Sequence, residues 1–192
     1  VTGTQGAFTH SVRVLPGTTM INGVATIAKE HSDGEIEYFT NDANGIRLHR
    51  ESDPEITLTM VPPIVFARAT MNITDTVHST GIIMVDYPGS WTGTLSYDST
   101  TTMEALETVT VPAGTYETVK IYNSTRIFGD TPNVRIDETD TDTTWLTRYI
   151  GTVKSTSTDD EGIDIAVLIN TSVRAPVPFM PFLPILLDQD HP

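Results

Sequence analysis

Three kinds of residue in this chain could do chemistry: five histidines, several runs of carboxylates, and two tryptophans. His10, His31, His49, His78 and His191 are scattered, and none stands two or four residues from another, the spacing that sets two imidazoles on one face of a strand or helix. A metal site would have to be assembled from distant segments, and a lone histidine on a strand is more simply a partly buried structural residue. Asp137, Glu138, Asp140 and Asp142 supply hard oxygen ligands of the kind calcium takes, with Asp137, Asp140 and Asp142 as candidate metal ligands. The run departs from the helix-loop-helix calcium pattern, because the sixth and twelfth positions counted from Glu138 are Thr143 and Tyr149 in place of Gly and Glu. A solvated acidic turn is the simpler account and is the one expected here. Asp159, Asp160 and Glu161 before Gly162 read as a charged hairpin tip. Trp91 and Trp145 either stack on sugar rings, if exposed, or fill a core.

Catalytic motifs are missing from the sequence. Ser90 in Gly89-Ser90-Trp91-Thr92-Gly93 lies next to the glycine, so there is no nucleophile elbow, and no zinc-protease helix, phosphate loop or dinucleotide fingerprint occurs. No spacing singles out a pair of carboxylates for glycoside hydrolysis. The chain reads as non-enzymatic, with no catalytic residue and no cofactor expected. With no cysteine, thiol nucleophiles, thiolate metal sites and disulfides are excluded together. A formal charge of −14 repels nucleic acid and anionic membrane surfaces alike.

The elements that would position these residues are strands. Thr, Val, Ile and Tyr recur in short runs bounded by Gly, Asp, Asn and Pro, from Thr9–Leu15 through Met71–Thr76, Gly81–Asp86, Trp91–Tyr97 and Met103–Val111 to Ile163–Ser172. Ser32-Asp33-Gly34, Asp42-Ala43-Asn44-Gly45 and Pro112-Ala113-Gly114 supply the turns. No long segment has helical periodicity. The pattern predicts one mostly β domain over 1–174, an antiparallel sheet or barrel. Residues 175–192 form a Pro-rich apolar tail, too broken by Pro176, Pro178, Pro181 and Pro184 for a helix or a membrane span. That tail is expected to pack on its own domain or to dock in a protein partner.

Val109-Thr110-Val111-Pro112-Ala113-Gly114-Thr115-Tyr116 and, further on, Trp145-Leu146-Thr147-Arg148-Tyr149-Ile150-Gly151-Thr152-Val153-Lys154 carry a resemblance, as does Asn44-Gly45-Ile46-Arg47-Leu48. The pairing resembles that of bacterial envelope proteins of the DUF3108-like group, with Tyr149 standing where their pattern has its first glycine. The resemblance implies a strongly curved antiparallel sheet, a half-barrel like that of lipoprotein carriers, with an apolar concave side covered by a short helix, a tail or a lipid. Phe66, in the apolar stretch from Met60, with Trp91, Trp145 and Tyr149, is then expected to meet a hydrophobic or amphipathic ligand, a small molecule or lipid. The alternative is a carbohydrate-associated accessory module of an exported polysaccharide-degrading enzyme. Either belongs outside the cytoplasm of a bacterium, in the periplasm, the cell envelope or the medium. The abundance of Thr, Ser, Gly and Asn with little Lys fits that address, and a chain that begins without a leader is expected to lack one or to start after its removal.

Overall fold

The computed structural model describes residues 11–147, 150–158, 163–169 and 171. Twelve strands follow one another: β1 (Val12–Val14), β2 (Thr19–Ile21), β3 (Val24–His31), β4 (Ile36–Asp42), β5 (Gly45–Ser52), β6 (Thr57–Ala67), β7 (Thr76–Tyr87), β8 (Trp91–Val111), β9 (Gly114–Asp130), β10 (Arg135–Thr147), β11 (Gly151–Thr158) and β12 (Ile163–Val167). They build one strongly curled antiparallel sheet, a half-barrel. From β3 to β12 each strand pairs with its neighbours in sequence, while β1 and β2 both pair with β3. No helix occurs among the described residues. The tail at 175–192, the acidic tip at 159–162, Tyr149, His10 and His191 lie outside them.

The predicted turns close the hairpins. Asp42 accepts a hydrogen bond from the Asn44 amide at 2.7 Å, and Gly45 follows with φ of +115°. A Cβ at Gly45 would stand 1.9 Å from the Ala67 carbonyl oxygen, so this turn needs glycine for both its conformation and its space.

Several strands are longer than expected. Trp91–Tyr97 and Met103–Val111 are parts of one strand, β8, because the intervening serines and threonines are not a loop. Ser99 and Thr101 turn inward, and their hydroxyls are hydrogen-bonded. Met71–Thr76, expected as a strand, is a turn in which Asp75 accepts from the Asn72 amide at 2.7 Å, and β7 starts only at Thr76. The acidic run is not a solvated turn either. Asp137 to Asp142 pair in register with Phe128 to Asn123 as the first half of β10. Its carboxylates are interleaved with Thr139, Thr141 and Thr143, whose branched side chains suit a pleated surface.

Side-chain alternation gives the sheet an inner face and an outer one. Two apolar clusters occupy the inner face. One holds Leu48, Met60, Ile64, Ile83, Val85, Leu95 and Tyr97, with Phe39, Ile56, Leu58, Phe66 and Trp91 packed on it. The other holds Ala67, Met71, Val77, Met103, Val119 and Ile121. Between them on β8 and β9 runs a polar band. Asn123 donates to Thr101 at 2.8 Å and to Ser99 at 3.2 Å, while Thr125 donates to Ser99 at 2.9 Å. Because every one of these groups is paired, the band is tolerated inside the curl. Tyr97 closes the first cluster by donating to the Pro62 carbonyl at 2.6 Å, passing over Gly81.

Candidate functional site

The register of β4, β5 and β6 builds a carboxylate site on the inner face. Glu37 pairs with Glu51 across β4 and β5, and Glu51 pairs with Leu58 across β5 and β6. A β-bulge makes this so. Leu48 pairs with Phe39, yet Arg50 pairs with Tyr38, so His49 is an extra residue and the strand's parity flips after it. Without the bulge Arg50 would face inward and Glu51 would face outward. The His49 ring turns to Thr40, 3.0 Å away, and burial together with the Arg47 charge pushes its pKa down.

An open cavity of about 360 Å³ lies at this end of the sheet, lined by Asp33, Glu35, Glu51, Ser52, Asp53, Ile56 and Leu58. Asp53 is committed to the backbone, accepting from the Glu55 and Ile56 amides at 2.6 and 2.8 Å. Ile56 and Leu58 join the cavity to the first apolar cluster. The lining is therefore part hydrocarbon and part carboxylate.

Charge inside the site is uneven. Burial raises the affinity of Glu37 for a proton, but the hydrogen bond with His31 and the ammonium of Lys29 more than offset it and hold Glu37 below the usual carboxylate range. His31 Nε2 lies 2.8 Å from Glu37, and that bond raises the His31 pKa. Lys29 also bridges to Glu37 and lies 5.5 Å from the Phe39 ring centre. Glu51 stands in contrast. Burial, then the charges of Glu37, Glu35 and Asp142, push its pKa up to about 8, and Lys29 opposes this only weakly. Glu35 is raised by burial and by Glu37, and Asp142 by burial, Asp140 and Glu37. The sheet curls far enough for Asp142 of β10 to act on β4 and β5 across the interior.

The residues singled out in the sequence do not converge. Trp91 and Phe66 pack on the first apolar cluster. The Trp91 ring folds back over Gly93 and lies 6.4 Å from the Tyr87 ring. Phe66 packs against Phe39 with the rings tilted and their centres 5.9 Å apart. Trp145 is on the outer face, opposite Lys120 on one side and Lys154 on the other, whose ammonium groups lie 5.6 and 4.3 Å from its ring. Its indole N–H donates to Glu107, and it is buried by these neighbours. Tyr149 lies outside the described residues. Asp140 and Asp142 share the inner face of β10, whereas Asp137 points outward and is held by Arg126 through two bonds of 2.7 and 2.8 Å. Among the described residues no three His, Asp or Glu side chains gather as a metal-holding group. His31 enters the site, as the partner of Glu37; His78 pairs with Asp98 at 2.6 Å, far along the sheet on an exposed surface.

Glu51, Glu35 and Glu37 were not visible as site residues in the sequence. The alternation Ile46, Leu48 signals the inner face of β5, but nothing in the residue types marks the bulge that brings Glu51 onto it. Comparison with protein-family models, curated proteins and solved structures found no match.

Proposed function

We propose that this is a non-enzymatic exported protein that binds an amphipathic ligand on the concave side of the half-barrel. The observation that carries the reading is the cavity at the inner face, where Ile56 and Leu58 continue the apolar cluster beside a wall of carboxylates. A pocket with one hydrocarbon wall and a few convergent polar groups holds a ligand that is itself two-sided. An incompletely closed barrel leaves such a concavity at its open side. The resemblance to DUF3108-like envelope proteins supports the same reading and an address in the envelope or outside the cell of a bacterium.

Native mass spectrometry of the purified protein, followed by organic extraction, tests it. A co-purifying amphipath, or binding of a hydrophobic dye that such a compound displaces, is the expected result. A clean apo mass with no dye binding overturns the reading. A second reading, the carbohydrate-associated module, draws on the Tyr87–Trp91 pair at the β7–β8 turn, where Tyr87 is exposed and Trp91 half-buried. Retardation in polysaccharide affinity gels, lost in Trp91→Ala, is its test.

A further inference from the structure

The Glu51 side chain is drawn largely into the protein yet opens on the cavity that it lines, and no hydrogen bond or ion pair with a described residue holds it. A carboxylate drawn partly out of water without a partner is costly. The site contains a cation, Lys29, but its ammonium is bound to Glu37, as is the His31 ring. No described basic side chain is left to serve Glu51. Glu35, on the same wall, is likewise raised by burial and by Glu37.

We propose that the cavity takes a protonated organic amine, with the Glu51 carboxylate as its counter-ion and Ile56 and Leu58 against its hydrocarbon body. This deepens the amphipathic-ligand reading and rests on it. An organic cation fits better than a metal ion on two grounds. The described acidic side chains do not gather into a metal-holding group, and about 360 Å³ with a hydrocarbon wall is far more room than a bare ion fills. An anionic or zwitterionic head would meet Asp33, Glu35, Glu51 and Asp53 in the lining, with the charges of Glu37 and Asp142 acting on Glu51 from beside it, against which only Lys29 and His31 are positive. Binding of the amine also ionises Glu51, so one proton leaves the carboxyl for solvent as the ammonium enters.

The experiment compares three probes of equal chain length, n-hexylammonium, 1-hexanol and hexanoate, by isothermal titration of the full chain at pH 6 and pH 9. Hexylammonium stays protonated at both. The groups facing Glu51 that titrate or carry charge are Lys29 and His31 of β3, Asp33 and Glu35 of the β3–β4 turn, Glu37 of β4, Asp53 after β5, and Asp140 and Asp142 of β10. We expect hexylammonium to bind at least tenfold more tightly than the other two, more tightly at pH 9 than at pH 6, and with proton release at pH 6. Glu51→Gln, which removes a buried charge and keeps the shape, should weaken hexylammonium about tenfold and leave hexanol unchanged. Equal binding of all three probes, or no loss in Glu51→Gln, overturns the amine assignment while leaving the amphipathic-ligand reading standing. No binding of any probe, joined to a clean apo mass, overturns both.

Discussion

Replacing Glu51 by glutamine should make the folded protein more stable, and increasingly so as pH rises above about 4.5. In the native sheet burial and the neighbouring carboxylates hold the Glu51 proton until about pH 8, whereas in the unfolded chain it leaves near pH 4.5. The folded state thus binds one more proton than the unfolded state between those values, and stability falls as pH rises through that window. Below pH 4.5 the contribution is fully present, and above pH 8 it is gone. At about 1.36 kcal/mol for each tenfold change in proton affinity, the upper limit is roughly 5 kcal/mol. Water entering through the open cavity lowers this, and we expect about 2–3 kcal/mol at pH 9. Glutamine keeps the shape and carries no charge. Urea unfolding of both proteins from pH 4.5 to pH 9 should give curves that coincide at the acid end and separate progressively, the variant being the more stable. Curves that run parallel throughout would mean that Glu51 is hydrated in the native state and that the site does not withhold it from water.

Two further substitutions probe the framework. In single-tryptophan variants, the fluorescence of Trp145 should resist acrylamide, since Lys120, Lys154 and Glu107 cover it, while the half-buried Trp91 should be quenched; Trp145→Phe should cost about 1–2 kcal/mol through the lost bond to Glu107, read by urea unfolding. Gly81→Ala should cost about 2–3 kcal/mol or more, because its Cβ would stand 2.5 Å from the Val61 carbonyl oxygen and 2.8 Å from the Tyr97 ring; a thermal midpoint unchanged from wild type would contradict the packing described for the first cluster.

An antiparallel β domain was legible in the sequence because strand composition and turn chemistry agree along most of the chain; its curl into a half-barrel was expected only from the family resemblance. Asp42 to Gly45 and Pro112 to Gly114 close hairpins at the predicted places. Strand extent was less legible where polar residues face inward. Ser99 and Thr101 look like loop residues until their partner on the adjacent strand is known, and that partner, Asn123, although it heads an Asn-x-Thr triplet, is buried with its amide engaged. Asp137 to Asp142 looked like a turn because carboxylates are depleted in strands, but Arg126 on β9 pairs with the outward one and the curl brings the inner ones toward β4 and β5. The candidate site depended on the least legible feature of all. A single extra residue at His49 decides whether Arg50 or Glu51 enters the concavity, and bulges are set by pairing between strands, which the order of residue types along one strand does not encode.

From β3 onward every strand pairs with the segment just before and just after it, which has a consequence for how the molecule comes into being. No strand waits for a distant partner, so each step of assembly closes only a hairpin, and sequence separation grows with strand length alone. A chain delivered end first, from a ribosome or through a membrane pore, can lay down its strands in order of arrival, the newest edge serving as the template for the next. The same layout makes the sheet divisible. Deleting β12, or β12 with β11, takes one neighbour from the strand that becomes the new edge and leaves every other strand paired as before, so shortening from the C-terminal side peels the sheet instead of breaking it.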